Sequence, residues 1–131
     1  MLINGVAEGR PTSRQIDGRA AELAARQYLE DRGLGFVAAN VRLRAGELDL
    51  VMLDGDCLVF VEVRYRRSRR YGGAAASVDG RKQRRLLACG ALYVQRFPVW
   101  RNCRLRFDVV AVQPGVYGGL DCDWLRNAIR G

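Results

Sequence analysis

The sequence predicts an α/β domain in which a central mixed β-sheet is flanked by α-helices. Three observations carry this. Residues 17–32 show an apolar stripe at helical period, two consecutive segments between 47 and 64 are apolar on both faces, and a second helical segment then leads into a further strand. Strands buried on both faces belong in the middle of a sheet covered by helices. The 131 residues are one domain's worth.

Residues 1–15 carry Gly, Pro, Thr and Ser without periodicity and read as a flexible tail, leaving residues 16–131 as a single domain. Asp17 is the expected N-cap of a helix running to about Arg32. Ala21, Ala24, Ala25, Tyr28 and Leu29 form one face of it, and Gly33 stops it. Three strands are expected next, over Phe36–Leu43, Glu47–Leu53 and Leu58–Arg64. Asp54-Gly55-Asp56 joins the last two as a hairpin.

Alternation puts Leu48, Leu50, Met52, Val59, Val61 and Val63 on one side of that hairpin. Val51, Leu53, Leu58 and Phe60 fall on the other. Ser77 is the expected cap of a second helix reaching about Phe97, ahead of Pro98. A strand over Arg104–Val112 follows, and Asp121–Arg130 reads as a short helix around Trp124 and Leu125.

Composition removes several chemistries. The chain has no histidine, which excludes Ser-His and Cys-His nucleophile pairs, histidine bases and histidine metal ligands. Cys57, Cys89, Cys103 and Cys122 are scattered without a CxxC, so neither a zinc ribbon nor a thioredoxin motif is available; free thiols are expected. No apolar run approaches the ~18 residues of a membrane span, and the first residues lack an apolar signal core, so a cytoplasmic location without membrane attachment is expected.

Charge is concentrated. Arg64, Arg66, Arg67, Arg69, Arg70, Arg81, Lys82, Arg84 and Arg85 face a single acid, Asp79, within residues 64–85, and this segment holds the whole +8 excess of the chain. Arginines crowding the first turns of the second helix oppose its dipole, a local cost that an anionic partner offsets. So focused a field suits nucleic acid, gripped by its phosphates through Arg66, Arg67, Arg69, Arg70, Arg81, Lys82, Arg84 and Arg85. A solvated arginine-rich loop is the bland alternative. Tyr65 and Tyr71 flank the run, either to stack on unpaired bases or as edges of a packed loop.

The informative pair is Asp49 and Glu62. If the hairpin turns at Gly55-Asp56, Asp49 faces Glu62 with Cβ atoms ~4.5–5.5 Å apart; a one-residue change in register breaks the alignment. Two carboxylates so placed repel and are costly to desolvate. A shared proton, an intervening arginine or a divalent cation relieves them, and oxygen-only ligands suit Mg²⁺ or Mn²⁺. Arg64 returns to the same face. It either stabilises charge developing on a phosphate or simply neutralises the two acids. Glu22 stands at i,i+4 from Arg26, an ordinary exposed pair. Glu47 shares the face of Asp49. Asp108, between Phe107 and Val109, pairs with a nearby arginine or points into the site, and the spacing does not choose.

Glu22, Asn40-Val41-Arg42, Gly46-Glu47-Leu48-Asp49-Leu50, Val59-Phe60-Val61-Glu62-Val63-Arg64, Tyr71-Gly72-Gly73, Lys82-Gln83 and Arg106-Phe107-Asp108-Val109-Val110 together resemble the YraN-like family of small bacterial proteins, similar to archaeal Holliday-junction resolvases. The resemblance covers about residues 18–112 and implies a restriction-endonuclease-like fold. It implies a metal-dependent, structure-selective DNA endonuclease in which Asp49 and Glu62 hold Mg²⁺ (or Mn²⁺), Glu22 completes the metal shell and Arg64 is the catalytic cation. Arg64 stands where that superfamily usually has Lys. Arginine stays protonated and supplies only charge and hydrogen bonds. That departure favours the alternative, an inactive nucleic-acid-binding or adaptor protein on the same fold. Lys82, the single lysine of the chain, is expected to approach the same site. Symmetric cutting of a junction implies a homodimer.

Overall fold

The computed structural model describes residues 13–67 and 78–129. Helix α1 spans Ser13–Asp31, strands β1 Gly35–Leu43, β2 Gly46–Asp54 and β3 Cys57–Tyr65, helix α2 Gly80–Arg96, and strands β4 Arg104–Pro114 and β5 Leu120–Leu125; a 3₁₀ turn covers Pro98–Trp100. The five strands form one sheet in sequence order. All neighbours are antiparallel except β3 and β4, which run parallel and are connected across α2. The domain is α/β with a mixed sheet and a helix on each face, as its patterning predicts.

The alanines of α1 set how closely it lies on the sheet. Ala21, Ala25 and Leu29 are buried with Leu50, Met52, Val59, Val61, Val110 and Val112. The helix ends in a Schellman arrangement. Leu34 N–H donates to Leu29 O, Gly33 N–H donates to Glu30 O, and Gly33 takes a φ of +94° that favours glycine. Helix α2 covers the other face with Leu86, Cys89 and Tyr93 against Val51, Leu58, Phe60, Phe107 and Val109. Its approach is close at Gly90, where a Cβ would lie 2.6 Å from the Phe107 ring and 3.1 Å from Phe60. Phe60 packs on Phe107 at 5.1 Å and edge-on to Tyr93 at 5.7 Å between ring centroids.

Several boundaries differ from expectation. Helix α1 begins at Ser13, so residues 13–15 belong to it rather than to a tail, and Asp17 lies within the helix, where its carboxylate takes Arg67 at 2.9 Å instead of capping. Residues 1–12 and Ser77 lie outside the described residues. The cap of α2 is Asp79, whose carboxylate accepts from Lys82 N–H at 2.9 Å.

The expected C-terminal helix is instead strand β5. Leu120, Cys122 and Trp124 alternate toward the α1-side core while Asp121 and Asp123 are exposed. Pairing with β4 satisfies the backbone, and Trp124 Nε1–H donates to the buried Asp108 carboxylate at 2.9 Å. Leu48 also departs from simple alternation, packing with the α2-side cluster while Leu50 packs under α1. All four cysteines are free thiols. Among the described residues no helix is long and apolar enough to cross a membrane.

Candidate functional site

The β2–β3 hairpin closes at Gly55, whose φ of +62° suits the first central position of a two-residue turn. The register then runs from Asp54↔Cys57 to Leu50↔Val61, the alignment that brings Asp49 opposite Glu62. Beyond Leu50 the ladder changes character: Val63 N–H donates to the Asp49 carboxylate at 2.9 Å. A side chain takes the place of a strand carbonyl where the β2–β3 register ends, and Leu48, beyond it, packs with the α2-side core.

Here the Asp49 and Glu62 carboxyl groups hydrogen-bond to each other on the α2 face. The Asp49 pKa is pushed up to about 8. Burial is the main cause, the Glu62 charge adds to it, and the Val63 N–H bond opposes it. The Asp49 carboxyl therefore keeps its proton at neutral pH. Glu62 is only 4% exposed and holds two cations on one oxygen: Lys82 Nζ at 2.8 Å from α2 and Arg64 Nη1 at 3.5 Å from its own strand. The expected meeting of Asp49, Glu62, Arg64 and Lys82 is thus present as geometry.

Beside the pair opens a cavity of about 450 Å³, walled by Glu47 and the β1–β2 turn on one side and by Lys82, Arg85 and Leu86 of α2 on the other. Gly46 is needed there. Its φ is +151°, and a Cβ would lie 3.2 Å from the Arg85 stem, which packs over it. Glu22 approaches from α1. Burial raises its pKa, the charges of Glu47 and Glu62 add to this, and a hydrogen bond with the Asn40 side chain opposes it. The helix pair expected for Arg26 forms with Glu30 at 3.4 Å instead, its guanidinium stacking on Phe36. Among the described residues no three Asp, Glu or Cys side chains gather closely enough to hold a metal ion alone.

The basic residues divide into groups. Arg81, Arg84 and Arg85 are exposed on the first turns of α2. Arg66 is exposed beyond β3, whereas Arg67 is tied to Asp17; Arg69, Arg70 and Tyr71 lie outside the described residues. Asp108 lies away from this centre, on the α1 face. It is fully buried and accepts from Arg106 through both oxygens, from Trp124 and from Asn127 N–H at 2.8 Å. Sequence reasoning missed two contributors. Arg44 stands in the β1–β2 turn against the cavity, and Asn40 holds Glu22 from a left-handed φ of +52° within β1. A left-handed Asn in a strand leaves no periodic trace, but Arg42 and Arg44 two apart beside a turn are a visible signal.

The model of the uncharacterised protein family UPF0102 matches residues 21–112. A UPF0102 protein of Pseudomonas putida (strain GB-1) is 52% identical over 113 residues, covering 86% of this chain and 92% of that protein. One from Stutzerimonas stutzeri (strain A1501) is 51% identical over 117 residues, covering 88% and 96%. The span matched by the family model holds β1 to β3, α2 and every residue of the Asp49–Glu62 centre, and so this chain belongs to the UPF0102 family.

Proposed function

We propose that this domain is a metal-dependent endonuclease of restriction-endonuclease-like type, selective for DNA structure and related to Holliday-junction resolvases. The observation that carries the reading is the adjoining buried carboxyls of Asp49 and Glu62 at the edge of a cavity rimmed by arginines. The element order and the two acids on adjacent antiparallel strands support the fold-family assignment.

The donor set fits Mg²⁺ or Mn²⁺. The Asp49 carboxyl, held protonated by burial beside the Glu62 charge, is a site that a cation would relieve, and Mg²⁺ is commonly held by one or two carboxylates together with waters and substrate phosphate. Asp49 and Glu62 would hold the ion, with Glu22 supporting from α1. When bound, such an ion activates water and polarises the phosphodiester. The chain's own residues supply the rest. Arg64 and Lys82 keep fixed positive charge at Glu62, where charge develops on the phosphoryl oxygens. Arg64 cannot exchange its proton, whereas Lys82 can, so the lysine absent from the strand motif is provided by α2. Phosphate contacts position the substrate without reading sequence, which suits selection by DNA shape. Two symmetric cuts call for a homodimer.

A second reading has its own support. The Glu62 oxygen already holds two cations, as in a closed ion network of a nucleic-acid-binding adaptor that performs no chemistry. Incubation with four-way junction and linear DNA, in Mg²⁺, Mn²⁺ or chelator, separates the two. Metal-dependent cleavage that disappears in Glu62→Gln supports the enzyme. Binding without cleavage, indifferent to metal and to Glu62→Gln, supports the adaptor.

A further inference from the structure

The cavity at the carboxylate pair does not end at α2's first turns. A second groove of about 370 Å³ continues from it, sharing Arg42, Leu43 and Arg44 of the β1–β2 hairpin and reaching Leu92, Gln95 and Arg96 at the far end of α2. The Arg42 side chain is 90% exposed, with Glu47 only at 3.8 Å. Among the described residues, Arg44 and Arg96 have no carboxylate at ion-pair distance. The Arg96 guanidinium donates to Arg42 O at 3.3 Å, so the end of α2 is fastened to the hairpin backbone beside Arg42 and Arg44. Three arginines on one groove, with a single acid at 3.8 Å from one of them, make a positive surface that an anion would relieve.

We infer that Arg42, Arg44 and Arg96 form a phosphate-binding track that leads a nucleic-acid backbone away from the Asp49–Glu62 cavity along α2. The inference rests on the nuclease reading for its direction and adds a contact surface outside the 64–85 arginine segment. Lys82 and Arg96 are fourteen residues apart on one helix, about 21 Å at 1.5 Å per residue. That corresponds to roughly six phosphate steps along a duplex strand at 3.4 Å. The ligand chemistry is the phosphodiester backbone, from DNA or RNA.

Equilibrium binding of labelled duplex DNA and duplex RNA, in chelator and over a salt series, tests this with wild type, Arg44→Ala, Arg96→Ala and the double variant. Arg32→Ala, on the α1 side, is the control for lost charge alone. Each track substitution is expected to weaken binding about tenfold at 0.1 M salt and to lower the salt slope by about 0.9, while Arg32→Ala changes little. Arg44 is exposed in the β1–β2 turn, so Arg44→Ala keeps the test valid if Arg96→Ala unfolds. Wild-type affinity and slope in Arg44→Ala would overturn the track while leaving the nuclease reading intact. A wild-type chain that binds neither nucleic acid overturns both. Binding of labelled polyglutamate that unlabelled duplex DNA does not displace would overturn the track in favour of an acidic protein partner.

Discussion

Lys82 Nζ lies 2.8 Å from Glu62 Oε2, which joins the first turns of α2 to the centre of the sheet where the β2–β3 register ends. Glu62 is nearly inaccessible, and Asp49 presses a second acid against it. Removing the ammonium leaves Glu62 beside the Asp49 carboxyl with Arg64, at 3.5 Å, still against it. Lys82→Met is therefore expected to lower stability by about 1–3 kcal/mol in urea titrations near neutral pH and to abolish metal-dependent cleavage. Lys82→Arg, which keeps the charge but loses proton exchange, is expected to recover stability while remaining slow in cleavage.

Asp49 sets a pH dependence whose sign follows from its raised pKa. An unfolded aspartate ionises near 3.9, whereas the folded carboxyl holds its proton to about 8. Between those values the folded state binds the extra proton, so stability falls as pH rises from about 4 to about 8 and levels off above. Asp49→Asn removes this cost and keeps an acceptor for Val63 N–H. The variant is expected to match wild type near pH 4 and to exceed it by a few kcal/mol at pH 8. Denaturation series across that range measure it; equal stability at both ends would sink the picture of a protonated Asp49.

The hairpin that builds this centre is legible in the sequence because its information is local. Asp54-Gly55-Asp56 fixes the turn, alternation fixes the faces, and both together align residues 49 and 62. The contributions that are not legible are non-local. Lys82 is expected at the site, but no local pattern says how α2 lies over the sheet to bring it to Glu62, and the parallel β3–β4 pairing that directs it joins residues about fifty apart. Spacing leaves Asp108 open, because only the face assigned by that parallel register separates it from Glu62. Asp121–Arg130 is short and mixed enough to read as a helix; the β4 edge, which periodicity does not display, makes Leu120–Leu125 a strand.

Asp108 is a stability residue. It is fully buried and accepts two bonds from Arg106, one from Trp124 and one from Asn127 N–H, while Arg106 also reaches Asp54 at 3.0 Å. Breaking a buried, hydrogen-bonded ion pair from one side costs about 3–5 kcal/mol. Asp108→Ala is expected to lose that much in denaturant unfolding, and Trp124→Phe about 1 kcal/mol for its single bond. Nucleic-acid affinity per folded molecule should be unchanged in both, since this network occupies the α1 face of the sheet.

Metal binding at this pair must displace a proton, because Asp49 is protonated below about pH 8 and only its carboxylate is a ligand. Titration of Mn²⁺ at pH 7 is thus expected to release about one proton per ion, read by calorimetry in buffers of different ionisation enthalpy. Stabilisation by the ion should reach about 2.7 kcal/mol at a hundred times its dissociation constant. The gain should be larger at pH 8 than at pH 6, since at the higher pH less work goes into removing the proton. Asp49→Asn should bind more weakly and release no proton, and Glu62→Gln should lose the stabilisation. A wild-type chain that takes up no Mn²⁺ at either pH, yet still binds DNA, would mean that Lys82 and Arg64 already satisfy the acids, and would leave the adaptor reading standing.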